Sequence, residues 1–118
     1  MWIFTPGGFL SVVADRDRPQ DGQLLVRARN REHLQALLPE CGAFSVGGSD
    51  YPWRCWATRE QVTDLLTQQV SALEYTNFKG AVSDHEYHLA LMDVWQAMAD
   101  YGDVLRYGPK AALNRREP

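Results

Sequence analysis

The chain predicts an α+β protein: a two-layer ferredoxin-like (βαββαβ) sandwich with an N-terminal β-hairpin and an extra C-terminal helix. Three observations carry that expectation. Residues 50–78, DYPWRCWATREQVTDLLTQQVSALEYTNF, run as a strand, a capped amphipathic helix and a short closing segment. Residues 23–46 repeat the strand, helix, strand order just upstream. Residues 2–14 are two β-rich runs joined by Pro6-Gly7-Gly8, a hairpin signal.

Taken in order, Trp2–Thr5 and Phe9–Ala14 form the hairpin, and Asp15–Gly22 (DRDRPQDG) is a charged loop. Gln23–Asn30 is a strand with Leu24, Val26 and Ala28 on one face and Leu25, Arg27 and Arg29 on the other. Asn30 caps a short helix with a Leu34, Leu37, Leu38 stripe, ended by Pro39 and Gly42. Ala43–Val46 is a strand that Gly47-Gly48-Ser49-Asp50 turns into the next one. There Tyr51, Trp53, Cys55 and Ala57 alternate with Pro52, Arg54 and Trp56. Thr58 and Gln61 make a capping box for a helix striped by Val62, Leu65, Leu66, Val70 and Leu73. Glu74–Phe78 is either the closing strand of the sandwich or an irregular lead into the next helix. Ser83 and Glu86 make a second capping box. The third helix carries Tyr87, Leu91, Val94, Trp95, Met98 and Tyr101 and is expected to end near Gly102. Residues 1–102 thus read as a single domain, and 103–118 as a partly disordered tail.

Composition narrows the function classes. The 118 residues carry a net charge of −3, against an extended nucleic-acid surface but not against a local basic patch. Cys41 and Cys55 form no C-x-x-C pair and are expected to be reduced, which suggests a cytoplasmic protein. No apolar run has the roughly 20 residues of a membrane span, so no membrane partner is expected. The apolar N-terminus lacks the basic region of a signal peptide.

The sheet face opposite the core is the most informative surface. Arg27, Arg29, Arg54 and Trp56 project from it together, and arginines beside a tryptophan can stack, grip a phosphate or clamp a carboxylate. The competing expectation is that the third helix covers this face, burying Trp56 under Trp95 or Met98. His85 and His88, with Asp84 beside them, could begin a metal site, but a third ligand is not specified. They read better as a solvated helix start, so neither metal nor cofactor is expected. Lys79 has no nucleophile to serve, and Cys41 with His33 forms no complete catalytic set.

The segments MWIFTPGGFLSVV, LLVRARNREHLQAL, DYPWR, YTNFK and YHLALMDVW resemble a group of small bacterial proteins that carry no assigned function. The resemblance covers residues 1–98 and implies no catalytic residues. The expected function is a non-enzymatic interaction protein, regulatory or inhibitory, that binds another macromolecule, a protein in the first instance, through aromatic and arginine side chains. The alternative is nucleotide or nucleic-acid binding on the Arg27, Arg29, Arg54, Trp56 face.

Overall fold

The computed structural model describes residues 1–17 and 22–110. The middle of the charged loop and the end of the expected tail, 18–21 and 111–118, lie outside the described residues. The chain forms two compact units, Met1–Thr76 and a second that begins at Asn77.

The first unit is an α+β layer pair. A five-stranded antiparallel sheet has the order β1-β2-β3-β5-β4. Its strands are β1 (Trp2–Thr5), β2 (Gly8–Ala14), β3 (Gln23–Ala28), β4 (Phe44–Ser45) and β5 (Trp53–Thr58), with helices α1 (Arg31–Leu37) and α2 (Arg59–Ser71). The expected closing strand at Glu74–Phe78 does not form. The edge of β3 that it would occupy is already paired with β2, from Ser11↔Arg27 to Ala14↔Leu24. The hairpin therefore supplies the neighbouring strand that the sequence pattern places at the end of the unit.

One face of the sheet carries the core. Ile3, Leu10, Val12, Val26, Ala28, Cys55 and Ala57 are buried with Leu34, Leu37, Leu38, Val62 and Leu65 from the helical layer. This is the face assigned to Leu24, Val26, Ala28, Trp53 and Cys55 by alternation. The stripe of α2 is shorter than expected. Val62 and Leu65 are buried and Leu66 packs against the cluster, whereas Val70 and Leu73 are exposed. The α2 capping box is present, with Gln61 N–H donating to Thr58 Oγ1 at 3.0 Å and Thr58 N–H to Gln61 Oε1 at 2.8 Å.

The hairpin is locked to α1 by a close approach. Gly8 has φ +157°, and a Cβ placed there would lie 2.5 Å from Cγ of His33. The His33 ring sits where that side chain would be, and its Nδ1 accepts from the Phe9 N–H at 3.1 Å. Gly8 is thus a packing glycine rather than only a turn residue. His33, weighed above as a partner for a cysteine, is engaged in this junction.

The expectation of free, reduced cysteines is overturned. Cys41 and Cys55 form a disulfide, with Cα atoms 6.0 Å apart. It ties the segment after α1 to the middle of β5, and the argument for a cytoplasmic protein from free thiols falls with it. Among the described residues no helix is long and apolar enough to cross a membrane.

The second unit holds a 3₁₀ turn, Lys79–Ala81, and α3, which spans His85–Tyr107. Its cap is Asp84, whose Oδ1 accepts from the Tyr87 N–H at 2.9 Å, one residue later than the expected Ser83 box. The helix does not stop at Gly102. It runs five residues further, so residues 103–107 of the expected tail are helical, and Gly108 with φ 92° ends it. Nothing near Gly102 breaks the backbone, and Val104, Leu105 and Arg106 are good or tolerable helix formers.

Two stability outcomes follow from these junctions. Gly8→Ala should cost about 1–3 kcal/mol, because the new methyl group drives into His33, whose Cγ and Cβ it would meet at 2.5 and 2.6 Å. In a His33→Gly background, which removes both atoms, the same change should cost less. Denaturant unfolding of the four variants checks this, and equal costs in both backgrounds would show that the His33 side chain is not the obstacle. Reducing the Cys41–Cys55 bond should lower stability by about 2–4 kcal/mol, since it closes a loop of sequence separation 14. Unfolding with and without reductant measures the difference, with a Cys41→Ser, Cys55→Ala variant as the insensitive reference.

Candidate functional site

Strand register places the candidate side chains on the sheet face away from the core. Trp2 pairs with Ser11, Ser11 with Arg27, Arg27 with Arg54, and Arg54 with Phe44, giving one row across all five strands. Directly paired residues share a face. The adjacent row is Val13, Leu25 and Trp56. Arg27 and Arg54 therefore stand side by side in the middle of the sheet, with aromatic residues at both ends of their row.

Three of the four residues singled out from the sequence meet around Tyr51. The guanidinium carbons of Arg27 and Arg29 lie 4.6 and 4.3 Å from its ring centroid. Arg54 donates through Nε to the Tyr51 carbonyl at 3.2 Å and through Nη2 to Ser49 Oγ at 2.7 Å. Arg29 donates from Nη1 to the Asp50 carbonyl at 2.8 Å, and Arg27 from Nη2 to Ser11 Oγ at 2.8 Å. Every one of these acceptors is a neutral oxygen. Among the described residues no carboxylate pairs with the three guanidiniums. Arg27 Nε is buried and has no hydrogen-bond partner. Each guanidinium carries five N–H donors, so most of this donor capacity is not spent on the protein.

Trp56 does not join the arginines. It stacks with Phe44, ring centroids 6.3 Å apart at 30°, beside the Arg54 position. A second aromatic group forms at the other edge. Phe4 and Phe9 stack at 4.5 Å, Trp2 meets Phe9 edge-on at 6.4 Å, and Phe9 lies 6.4 Å from Tyr51. Trp2 is 70% exposed.

Tyr51 is the residue that the sequence pattern misplaces. Alternation from Trp53 puts it on the core face, yet it packs among Phe9, Arg27 and Arg29 on the opposite one. β5 begins only at Trp53, so the period of two does not reach back through Pro52. Ser11 and Ser49 were also missed. Ser11 had a signal, since it alternates with the core residues Leu10 and Val12 and must point the other way.

The remaining candidates are spoken for locally. His85 is exposed on the first turn of α3, and His88 donates through Nδ1 to the Lys79 carbonyl at 2.8 Å. The Asp84 carboxylate caps the helix. Among the described residues no three His, Cys, Asp or Glu side chains converge as a metal site would need. The Lys79 ammonium lies over the Trp95 ring at 4.9 Å. No protein-family model matches this chain, and neither does any curated protein or solved structure.

Proposed function

We propose that the chain is a non-catalytic interaction protein, regulatory or inhibitory, whose binding surface is the coreless face of the sheet. Its partner is a protein segment that presents carboxylates to Arg27, Arg29 and Arg54. The observation that carries this reading is the set of three guanidiniums gathered on one tyrosine without a carboxylate among the described residues. Planar guanidiniums held by neutral oxygens keep their orientation and their charge. A carboxylate approaching them gains charge-assisted, two-pronged hydrogen bonds. Trp2 and the Phe44–Trp56 pair supply the aromatic area that concentrates binding energy in protein interfaces, while Tyr51, itself buried, holds the guanidiniums in place.

A protein partner is favoured over nucleic acid by charge. The chain carries −3 overall, so a phosphate backbone meets attraction only at this cluster and repulsion around it. The nucleic-acid reading keeps one supporting feature, the Phe44–Trp56 stack beside Arg54, on which a base could lie. The ferredoxin-like description belongs to this proposal too. The order β2-β3-β5-β4, with two helices contributing to the core, is that of the sandwich with its last strand supplied from the front. As for location, a persisting Cys41–Cys55 bond suits an oxidising compartment better than the cytoplasm.

The test is affinity capture from the native host with wild-type, Arg54→Lys and Trp56→Ala baits, read by mass spectrometry and by nucleic-acid staining. A protein captured by wild type should be weakened by Arg54→Lys, which keeps the charge but loses the planar fork. Trp56→Ala should cost about 2 kcal/mol of affinity, and, because Trp56 is half-buried and stacked on Phe44, it should lower the unfolding midpoint as well. Recovery of RNA or nucleotide instead would favour the second reading. A partner indifferent to both substitutions would end the sheet-face proposal.

A further inference from the structure

Helix α3 carries an apolar seam whose spacing is that of a coiled coil. Tyr87, Leu91, Val94, Met98, Tyr101 and Leu105 follow one another at alternating intervals of four and three residues. That is a heptad pattern, with Leu91, Met98 and Leu105 in the a positions and Tyr87, Val94 and Tyr101 in the d positions. Tyr87 and Leu91 are buried. From Val94 onward the seam is open.

The C-terminal half of the helix is inside out. Asp100 is 3% exposed, while Met98 on one side of it is 64% and Leu105 on the other is 73% exposed. A surface helix normally turns its apolar stripe inward and its carboxylates to water. Here Val94, Trp95, Met98, Tyr101 and Leu105 all face solvent, at 38–73% exposure. An aromatic side chain offers about 150–250 Å² and an aliphatic one somewhat less, so the open seam amounts to roughly 500 Å². That is a large apolar patch for a surface to leave uncovered.

We infer that the open seam is covered by a second copy of this chain, α3 against α3. Three features select that occupant. The heptad spacing fits another helix of the same period rather than a flat surface. The positions flanking the open seam, where charges would choose a different partner, hold Trp95, Ala97, Gly102 and Val104, and none is ionisable. No charge of the helix itself therefore stands at the edge of the open seam, the nearby cation being the Lys79 ammonium over the Trp95 ring, and the small Ala97 and Gly102 let the backbones approach. Two open seams facing each other remove about 1,000 Å², the lower bound of a specific interface. A lipid surface fits less well. The exposed charges in this half of the helix are Asp93 and Arg106, not the run of lysine and arginine that a membrane-surface helix carries.

The dimer is independent of the sheet-face proposal, since it uses other residues in the other unit. The experiment is sedimentation equilibrium of the full chain from about 1 to 200 µM, a range that brackets the weak end of specific association. Wild type should approach twice the mass of one chain as concentration rises. Met98→Glu and Leu105→Glu should each raise the dissociation constant at least tenfold, and the two together should leave only monomer. Asp93→Asn, on the polar side, should leave the dimer unchanged. Far-UV circular dichroism should keep its helical signal in all of them, because the altered side chains face water. If a glutamate variant loses that signal, Met98→Ser and Leu105→Ser replace it and should act in the same direction. Wild-type protein that stays monomeric through 200 µM overturns the inference. So does a dimer that survives both substitutions, or monomer that co-sediments with phosphatidylserine vesicles.

Discussion

The pairing of β3 with β5 fixes both faces of the first unit. Six residue pairs, from Gln23↔Thr58 to Ala28↔Trp53, join the two strands. Their alternation puts Val26 and Cys55 into the core and Arg27 and Arg54 on the other side. A slip of one residue would set Arg27 opposite Trp53 or Cys55 and Arg54 opposite Val26 or Ala28, so one strand would turn its set over and one arginine would enter the core. The core itself opposes that slip. Val26, Ala28, Cys55 and Ala57 are fully buried, so either the first two or the last two would have to leave the helical layer together. The disulfide adds a covalent constraint, since Cys41 reaches Cys55 only when the latter faces the helices. The candidate surface is thus positioned by burial on the far side of the sheet, not by contacts of its own.

Within that frame, the second face is built of side chains that hold each other without neutralising each other. Tyr51 is the hub. Its ring takes Arg27 and Arg29, its carbonyl takes Arg54, and its N–H donates to Ser49 Oγ, which also receives Arg54. A guanidinium over an aromatic face is attracted by the ring quadrupole, by about 0.5–1 kcal/mol when exposed and more when dry. This is enough to orient the groups, yet it leaves their charge in place.

Much of this was legible from residue order. The strands β3 and β5, the three helices, the Thr58–Gln61 box and the alternation that separates Arg27, Arg54 and Trp56 from the core are all local patterns with a period. What escaped the sequence depends on long-range partners. The missing strand at Glu74–Phe78 was displaced because β2 had claimed the edge of β3, and no local feature of EYTNF states that. Tyr51 was misplaced because a proline interrupts the alternation one residue away. The disulfide could not be inferred from two cysteines without a motif, since it rests on the segment after α1 crossing the middle of β5. The convergence of the arginines on one ring likewise requires the 47–52 loop to fold back over the sheet, with Val46 N–H donating to the Pro52 carbonyl at 2.8 Å.

Each unit keeps one local conflict that its own residues leave standing. In the first, Arg27 and Arg54 are directly paired across two strands, an arrangement that costs roughly 0.2–1 kcal/mol where an acidic or apolar neighbour would contribute instead. In the second, the apolar seam of α3 faces water, while the buried Asp100 carboxylate is satisfied within the helix by Gln96 Nε2 at 2.9 Å. Local choices that oppose the fold concentrate at binding surfaces, because selection for folding alone removes them. The two conflicts differ in kind. Unneutralised charge is relieved by an anionic partner, and that attraction weakens as salt screens it. Uncovered apolar area is relieved by an apolar partner, and excluded salts such as sulfate strengthen that association. The two proposed surfaces, one in each unit, are therefore expected to respond to salt in opposite directions.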